Sequence, residues 1–261
     1  MGENPCLQIE IGSNTDIGRV RKNNEDACRV LPSLNLFIIS DGMGGEAHGE
    51  VASAIATDTI TAQCSEAPND LSTQEWEIRR PDLSEKTKHL ACAVRLANRN
   101  VHDAALSNPQ YRGMGATVVA AWLDGERLSV VHVGDSRAYL FRAGVLQLLT
   151  SDHTLVAEQV RRGLIAPEKA HLSRMQNVLI RALGAKEQVE LDAAEHLLRN
   201  HDVVLLCTDG LTRMVDDLEI AKTLGQDYDA QTCADRLVSL ANEHGGEDNV
   251  SVIVVRVAEV T

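Results

Sequence analysis

Aromatic residues are scarce in this chain, 3% of 261 positions, although 44% of the sequence is hydrophobic. A core of that composition is built from Val, Leu, Ile and Ala. Positive charge is also short. Lys and Arg number 25 against 38 Asp and Glu, for a formal net charge of -13, which excludes nucleic acid or an anionic membrane as the main partner. The six cysteines (Cys6, Cys28, Cys64, Cys92, Cys207, Cys233) show no CxxC and no regular spacing. A disulfide framework or zinc knuckle is therefore excluded, and reduced thiols in a cytoplasmic protein are expected. Cys207 lies inside an apolar run and reads as a small core residue. The N-terminus carries no basic-then-apolar signal, and no segment approaches the roughly 18 uninterrupted apolar residues of a membrane span. Met1-Gly2 hints at myristoylation, but Cys6 stands where that signal wants Ser or Thr. No repeat or Gly/Ser-rich linker divides the chain, so one domain over 1–261 is expected, as a monomer by default.

What the sequence does have is FIISDGMGGEAHG at 37–49. A short apolar strand delivers Asp41 into a run of glycines, and a helical pattern follows from 46, with Val51, Ala52, Ile55, Ala56 and Ile60 on one face. A carboxylate at a strand end beside bare backbone is suited to a hard cation. Before it, strands are expected at 8–18, 27–31 and 36–40, with the polar block Arg21-Lys22-Asn23-Asn24-Glu25-Asp26 between the first two. After it come a helix to 63, a polar surface connection at 65–81 and a second long helix at 86–106. The period then changes to short strands at 117–123, 127–133, 136–142 and 145–149, with turns at Asp124-Gly125 and Ala143-Gly144. Weak helical patterns at 153–163 and 167–175 suggest a mobile flap. The run VVLLCT at 203–208 reads as a strand covered on both faces, followed by helices at 216–224 and 230–243 and a closing strand at 250–257. Strands and helices come in runs rather than in alternation, which gives an α+β class: stacked antiparallel sheets with helices outside.

Three more aspartates share the context of Asp41. Asp135 follows VVHVG, Asp209 follows VVLLCT, and Asp248 lies in GGEDN just before the closing strand. If these strand ends converge, three or four carboxylates meet in one pocket, and like charges at that range need a cation. Mg²⁺ or Mn²⁺ suits an all-oxygen donor set. Two such ions about 3.5–4 Å apart activate a shared water for attack on an ester whose oxygens they polarise. Arg21, close to Glu25 and Asp26, offers a planar fork for a phosphate. The chemistry these residues support is metal-assisted hydrolysis of a phosphoester.

At these same residues the chain resembles the metal-dependent protein phosphatases, the PPM family, in their bacterial form. The matching stretches are TDIGRVRKNNEDA, DGMGGEAHGEVAS, GATVVAAWL, VGDSRAYLFR, LTSDHTLV, NVLIRALG, CTDGLT and EDNVSVIVV, in family order from Thr15 to Val255. The resemblance implies a four-layer αββα sandwich with two Mn²⁺ or Mg²⁺ ions between the sheets. It implies hydrolysis of phosphoserine and phosphothreonine in proteins by direct attack of a metal-activated water, in opposition to a bacterial Ser/Thr kinase. Asp41 would bridge the ions, with the Gly42 carbonyl on one. Asp209 and Asp248 would bind one ion, and Glu25 and Asp26 the other ion or its waters. Arg21 would clamp the phosphate, Asn249 would support Asp248, and the flap at 151–184 would meet the protein substrate.

Two departures stand out. Met43 occupies the place where animal members often carry a histidine acid, which leaves the leaving-group proton to metal-bound water. Arg213 replaces an aspartate that helps the Asp135 counterpart bind a third ion, so a weak or absent third site at Asp135 is expected. Other readings fit less well. GMGGEA satisfies a dinucleotide-binding pattern, but no acidic second strand follows. Neither SDGMGG nor CTDGLT supplies the DxD of an aspartyl nucleophile. A catalytically weak scaffold that binds phosphoproteins would not need the Asp41, Asp209 and Asp248 set. His132 is expected in the core, His196 and His201 at the surface, and no histidine pair shows metal-ligand spacing.

Overall fold

The computed structural model describes residues 7–44, 48–66, 80–173, 175 and 177–258. Among the described residues, eleven strands form two sheets. One has the order β1 (Gln8–Asp16), β11 (Val250–Ala258), β10 (Val203–Cys207), β7 (Arg137–Arg142), β8 (Val145–Leu148). The other runs β2 (Asp26–Leu31), β3 (Leu36–Met43), β5 (Val118–Asp124), β6 (Arg127–Val133), β9 (Asp192–Leu197), with the short β4 (Gly115–Ala116) pairing the end of β3. The strand pairings are antiparallel.

The period of two along each strand separates three apolar layers. Phe37 and Ile39 of β3 point into the space between the sheets, where they meet Val204 and Leu206 of β10 and Ile253 and Val255 of β11. Leu36 and Ile38 point the other way, against α1 (Gly49–Ser65) and α2 (Glu85–Ser107). Val203, Leu205 and Cys207 face α5 (Asp217–Leu224) and α6 (Ala230–Glu243) on the opposite outside. The result is the four-layer αββα sandwich. Cys207 is fully buried in it and, like Cys28, Cys64 and Cys233, is a free thiol.

Several boundaries differ from expectation. Asp41 lies inside β3 rather than at its end, because β4 continues the pairing through Gly42↔Ala116 and Met43↔Gly115. The weak patterns after β8 become a short α3 (Leu155–Arg161) and a 3-10 segment at Pro167–Leu172. Strand β9, DAAEHL, went unread because two alanines and three polar residues carry little alternation. Pairing to β6 along Arg127↔Leu197 to His132↔Asp192 holds it. His196 lies on it half-buried, not at the surface, and burial lowers its pKa. His201 is exposed, as expected. Most of the 65–81 connection, the Gly45 position and the Met1-Gly2 and Cys6 positions lie outside the described residues. Among the described residues no helix is long and apolar enough to cross a membrane.

Candidate metal centre

The two sheets bring their acidic ends to one edge of the sandwich. Asp41 arrives on β3, Asp135 in the loop between β6 and β7, and Asp209 as the first residue of the single turn α4 (Asp209–Thr212) after β10. Asp248 lies just before β11. Together with Arg21, Glu25, Gly42, Met43 and Arg213 they line a pocket of about 260 Å³. Asp26 belongs to the same cluster, directly opposite Asp41 in the β2–β3 pairing.

Small polar residues at the strand ends fix these carboxylates. Asp41 N–H donates to Thr117 Oγ1 at 3.1 Å, and Thr117 Oγ1 is 2.6 Å from Ser136 Oγ. Ser40 Oγ donates to the Thr117 carbonyl at 2.6 Å. Asp26 Oδ2 accepts from Ser251 Oγ at 2.7 Å and Thr208 Oγ1 at 3.0 Å. Asn249 meets Asp248 through its backbone, N–H to Oδ1 at 2.9 Å. Its side chain holds the Glu25 loop instead: Oδ1 accepts from Glu25 N at 2.8 Å, and Nδ2 donates to the carbonyls of Ile17 and Asn23. Sequence reasoning missed Thr117, Ser136, Thr208 and Ser251. Their signal is a hydroxyl interrupting an apolar strand beside each acidic motif, as in GATVV, LLCTD and NVSVIVV.

Gly42 is required by packing, not by its dihedrals. A Cβ there would lie 2.1 Å from the Gly49 carbonyl oxygen and 2.6 Å from that of Glu25. The absent side chain lets β3 abut the start of α1, with Glu25 between them.

Crowding sets the electrostatics. Burial, then the charges of Asp26, Asp209, Asp135 and Asp248, drives the Asp41 carboxyl well above the usual range. Burial pushes Asp26 to about 7 despite its two hydroxyl donors. Asp135 also rises to about 7, through burial and then Asp209 and Asp152, with Arg213 opposing. Asp209 and Glu25 rise as well, chiefly by burial. Arginines supply the compensating charge at the rim. Asp248 Oδ2 lies 2.8 Å from Arg21 Nη2 and 3.1 Å from Arg213 Nη1, and Asp209 Oδ2 lies 2.6 Å from Arg213 Nη2. Two carboxylate oxygens of the cluster are buried without a hydrogen-bond partner, Asp26 Oδ1 and Asp209 Oδ1. Orphaned carboxylate oxygens within an all-oxygen cluster are the donor set of a hard divalent cation. The residues fit such ions.

A second grouping does not. His132, His153 and Asp192 offer ligand atoms within 4.8 Å of one another, and the two rings stack at 4.8 Å. Yet Gly134 N–H donates to His153 Nδ1 at 3.1 Å, which occupies that lone pair, and Nε2 lies 3.4 Å from Asp192 Oδ2. Arg181 Nη1 lies 3.1 Å from both His153 Nε2 and Asp192 Oδ1. The ring has no free lone pair, and a guanidinium already supplies the positive charge. Its hydrogen bond with His153 holds Asp192 at about 2, against the cost of burial. The grouping is a polar latch at the base of the 151–184 segment. His132 is buried there, as expected.

Beside the metal pocket runs a larger groove of about 860 Å³. It shares Asp135, Asp209, Arg213 and Asn177 with that pocket, and Val156, Val160 and Pro167 form an apolar wall.

A model of the protein phosphatase 2C family matches residues 18–244. The chain belongs to that family. The serine/threonine phosphatase stp of Listeria monocytogenes is 36% identical over 244 residues, 92% of this chain and 93% of that protein. The crystal structure of the Mycobacterium tuberculosis serine/threonine phosphatase PstP/Ppp superposes with a TM-score of 0.84 at 34% identity, over 97% of this chain and 100% of that one. A structure of the catalytic domain of PstP holds 2 manganese ions; it has a TM-score of 0.78 at 35% identity and covers 97% of this chain and all of the other.

Proposed function

We propose that this chain is a metal-dependent protein serine/threonine phosphatase. The observation that carries the reading is the convergence of Asp41, Asp209 and Asp248 on one pocket, with Asp26 and Asp209 oxygens left unpartnered. Asp41 would bridge two Mn²⁺ or Mg²⁺ ions with the Gly42 carbonyl beside it. Asp209 and Asp248 would hold one ion, and Glu25 and Asp26 the other or its water shell. When bound, the ions lower the pKa of a shared water and polarise the phosphoryl oxygens.

The chain's own residues do the rest. Arg21, about half exposed at 51%, can swing from Asp248 to a phosphate while Asp248 keeps its contact with Arg213 at 3.1 Å. Asn249 and the Thr208 and Ser251 hydroxyls fix the Glu25–Asp26 loop and the ends of β10 and β11, so that the carboxylates are preorganised. Met43 lines the pocket with a thioether, which cannot give up a proton, so protonation of the departing alkoxide falls to water. Arg213 beside Asp135 disfavours a third ion there. The 151–184 segment forms a flap over the adjoining groove, within a single domain.

The substrates are phosphorylated proteins, among them a bacterial Ser/Thr kinase or its targets, met by a monomer in the cytoplasm. Support for hydrolysis over a scaffold role comes from the intact carboxylate set. Release of phosphate from a phosphothreonine peptide in Mn²⁺ tests it, and tight peptide binding without release would favour the scaffold.

A further inference from the structure

Arg213 occupies a peculiar position. Its guanidinium spans the outer oxygens of Asp209, which is 9% exposed, and of Asp248, at 2.6 and 3.1 Å. It approaches from the wall shared by the metal pocket and the larger groove. The inner oxygen Asp209 Oδ1 is left buried and unpartnered. Asp248 Oδ1 is taken by the Asn249 backbone N–H, and Arg21 shares Oδ2. One side chain thus ties together two carboxylates from separate segments, Asp209 after β10 and Asp248 before β11.

We infer that Arg213 is a positioning residue that acts as an internal counter-cation: it holds Asp209 and Asp248 together when no metal is bound and sets the threshold for metal loading. The inference rests on the reading of Asp209 and Asp248 as metal ligands. Two physical effects carry it. A fixed positive charge within ion-pair distance of both carboxylates opposes a divalent cation arriving on them. The same charge offsets carboxylate repulsion until that cation arrives. Arg213 therefore stabilises the chelated protein and weakens its hold on metal. A merely structural arginine would do the first without the second.

The test is Mn²⁺ titration by calorimetry into chelator-stripped protein, with no substrate, alongside thermal unfolding in chelator. Arg213→Met keeps an unbranched apolar stem and removes the charge. The expected result is Mn²⁺ binding tighter by about tenfold or more, together with a lower unfolding temperature in chelator. Arg213→Lys, which keeps the charge but not the fork that spans both carboxylates, should recover part of that difference. Unchanged or weaker Mn²⁺ binding by Arg213→Met, with wild type binding normally, overturns the inference and leaves the metal reading standing. Failure of wild type itself to take up Mn²⁺ overturns both. If Arg213→Met does not fold, equal affinities for Arg213→Lys and Arg213→Gln count against the idea in the same way.

Discussion

Asp26 and Asp41 are direct cross-strand partners in the β2–β3 pairing, so both carboxylates leave the same face of the sheet at the same level. Like charges in that relationship destabilise a sheet by up to about 1 kcal/mol, and burial adds to the cost here. Such a pair persists in a folded protein when function requires it.

Asp41→Asn should accordingly trade function for stability. In chelator at pH 8 the variant should unfold a few degrees above wild type, as expected for about 1 kcal/mol in a domain of this size. Mn²⁺ should no longer raise its unfolding temperature. Differential scanning calorimetry with and without Mn²⁺ reads both effects.

Backbone contact at the pocket rim permits no side chain. At Gly210 a Cβ would lie 1.9 Å from the Asn249 carbonyl oxygen. Gly210→Ala should push α4 away from the Asn249 backbone, cost about 1–3 kcal/mol, and weaken Mn²⁺ binding, since Asp209 opens α4 and Asp248 adjoins Asn249. Denaturant unfolding and metal titration of the variant check the two parts separately.

Glu195 offers a pH-dependent test away from the centre. Burial alone would raise its pKa, but donors from Ser84, Thr87 and Arg127 outweigh it and hold the carboxyl at about 2. The unfolded value is about 4.3. Because the folded pKa is the lower one, the stabilisation is present above pH 4 and is lost as the pH falls toward 2. Glu195→Gln should cost about 1–2 kcal/mol at pH 7 after allowing for solvent screening, and almost nothing near pH 2. Urea unfolding across that range gives the comparison.

Arg213 also bears on ion number. Crystals of wild type soaked in excess Mn²⁺ should show two ions and no well-occupied third at Asp135. Arg213→Asp, which restores the family's carboxylate, should admit the third. Anomalous difference maps distinguish the cases, and a full third peak in wild type would refute the expected role of Arg213.

Much of this was legible in the sequence, for identifiable reasons. Apolar runs such as FIIS and VVLLC announced strands covered on both faces, and the acidic residues at their ends announced the cluster. Strand β9 was not legible because Ala193 and Ala194 carry almost no hydrophobic signal, and its place is set by pairing to β6. The latch of His153, Asp192 and Arg181 joins residues that only the fold brings together. Asn249 was expected to support Asp248, but motif position cannot show which way an amide points, and its side chain turned out to anchor the Glu25 loop. The reach of Arg213 to both Asp209 and Asp248 was equally hidden, since one partner is four residues away and the other thirty-five.

The most direct test follows the initial rate of phosphate release from a phosphothreonine peptide as Mn²⁺ is titrated into chelator-stripped wild type and Asp41→Ala. The expected result is no release without metal, a saturable rise for wild type, and a loss of at least about 100-fold for Asp41→Ala, as for removal of a group on which the reaction centre depends. Release that proceeds in chelator, or that survives Asp41→Ala at the wild-type rate, would contradict the assignment of this carboxylate cluster as the catalytic metal centre.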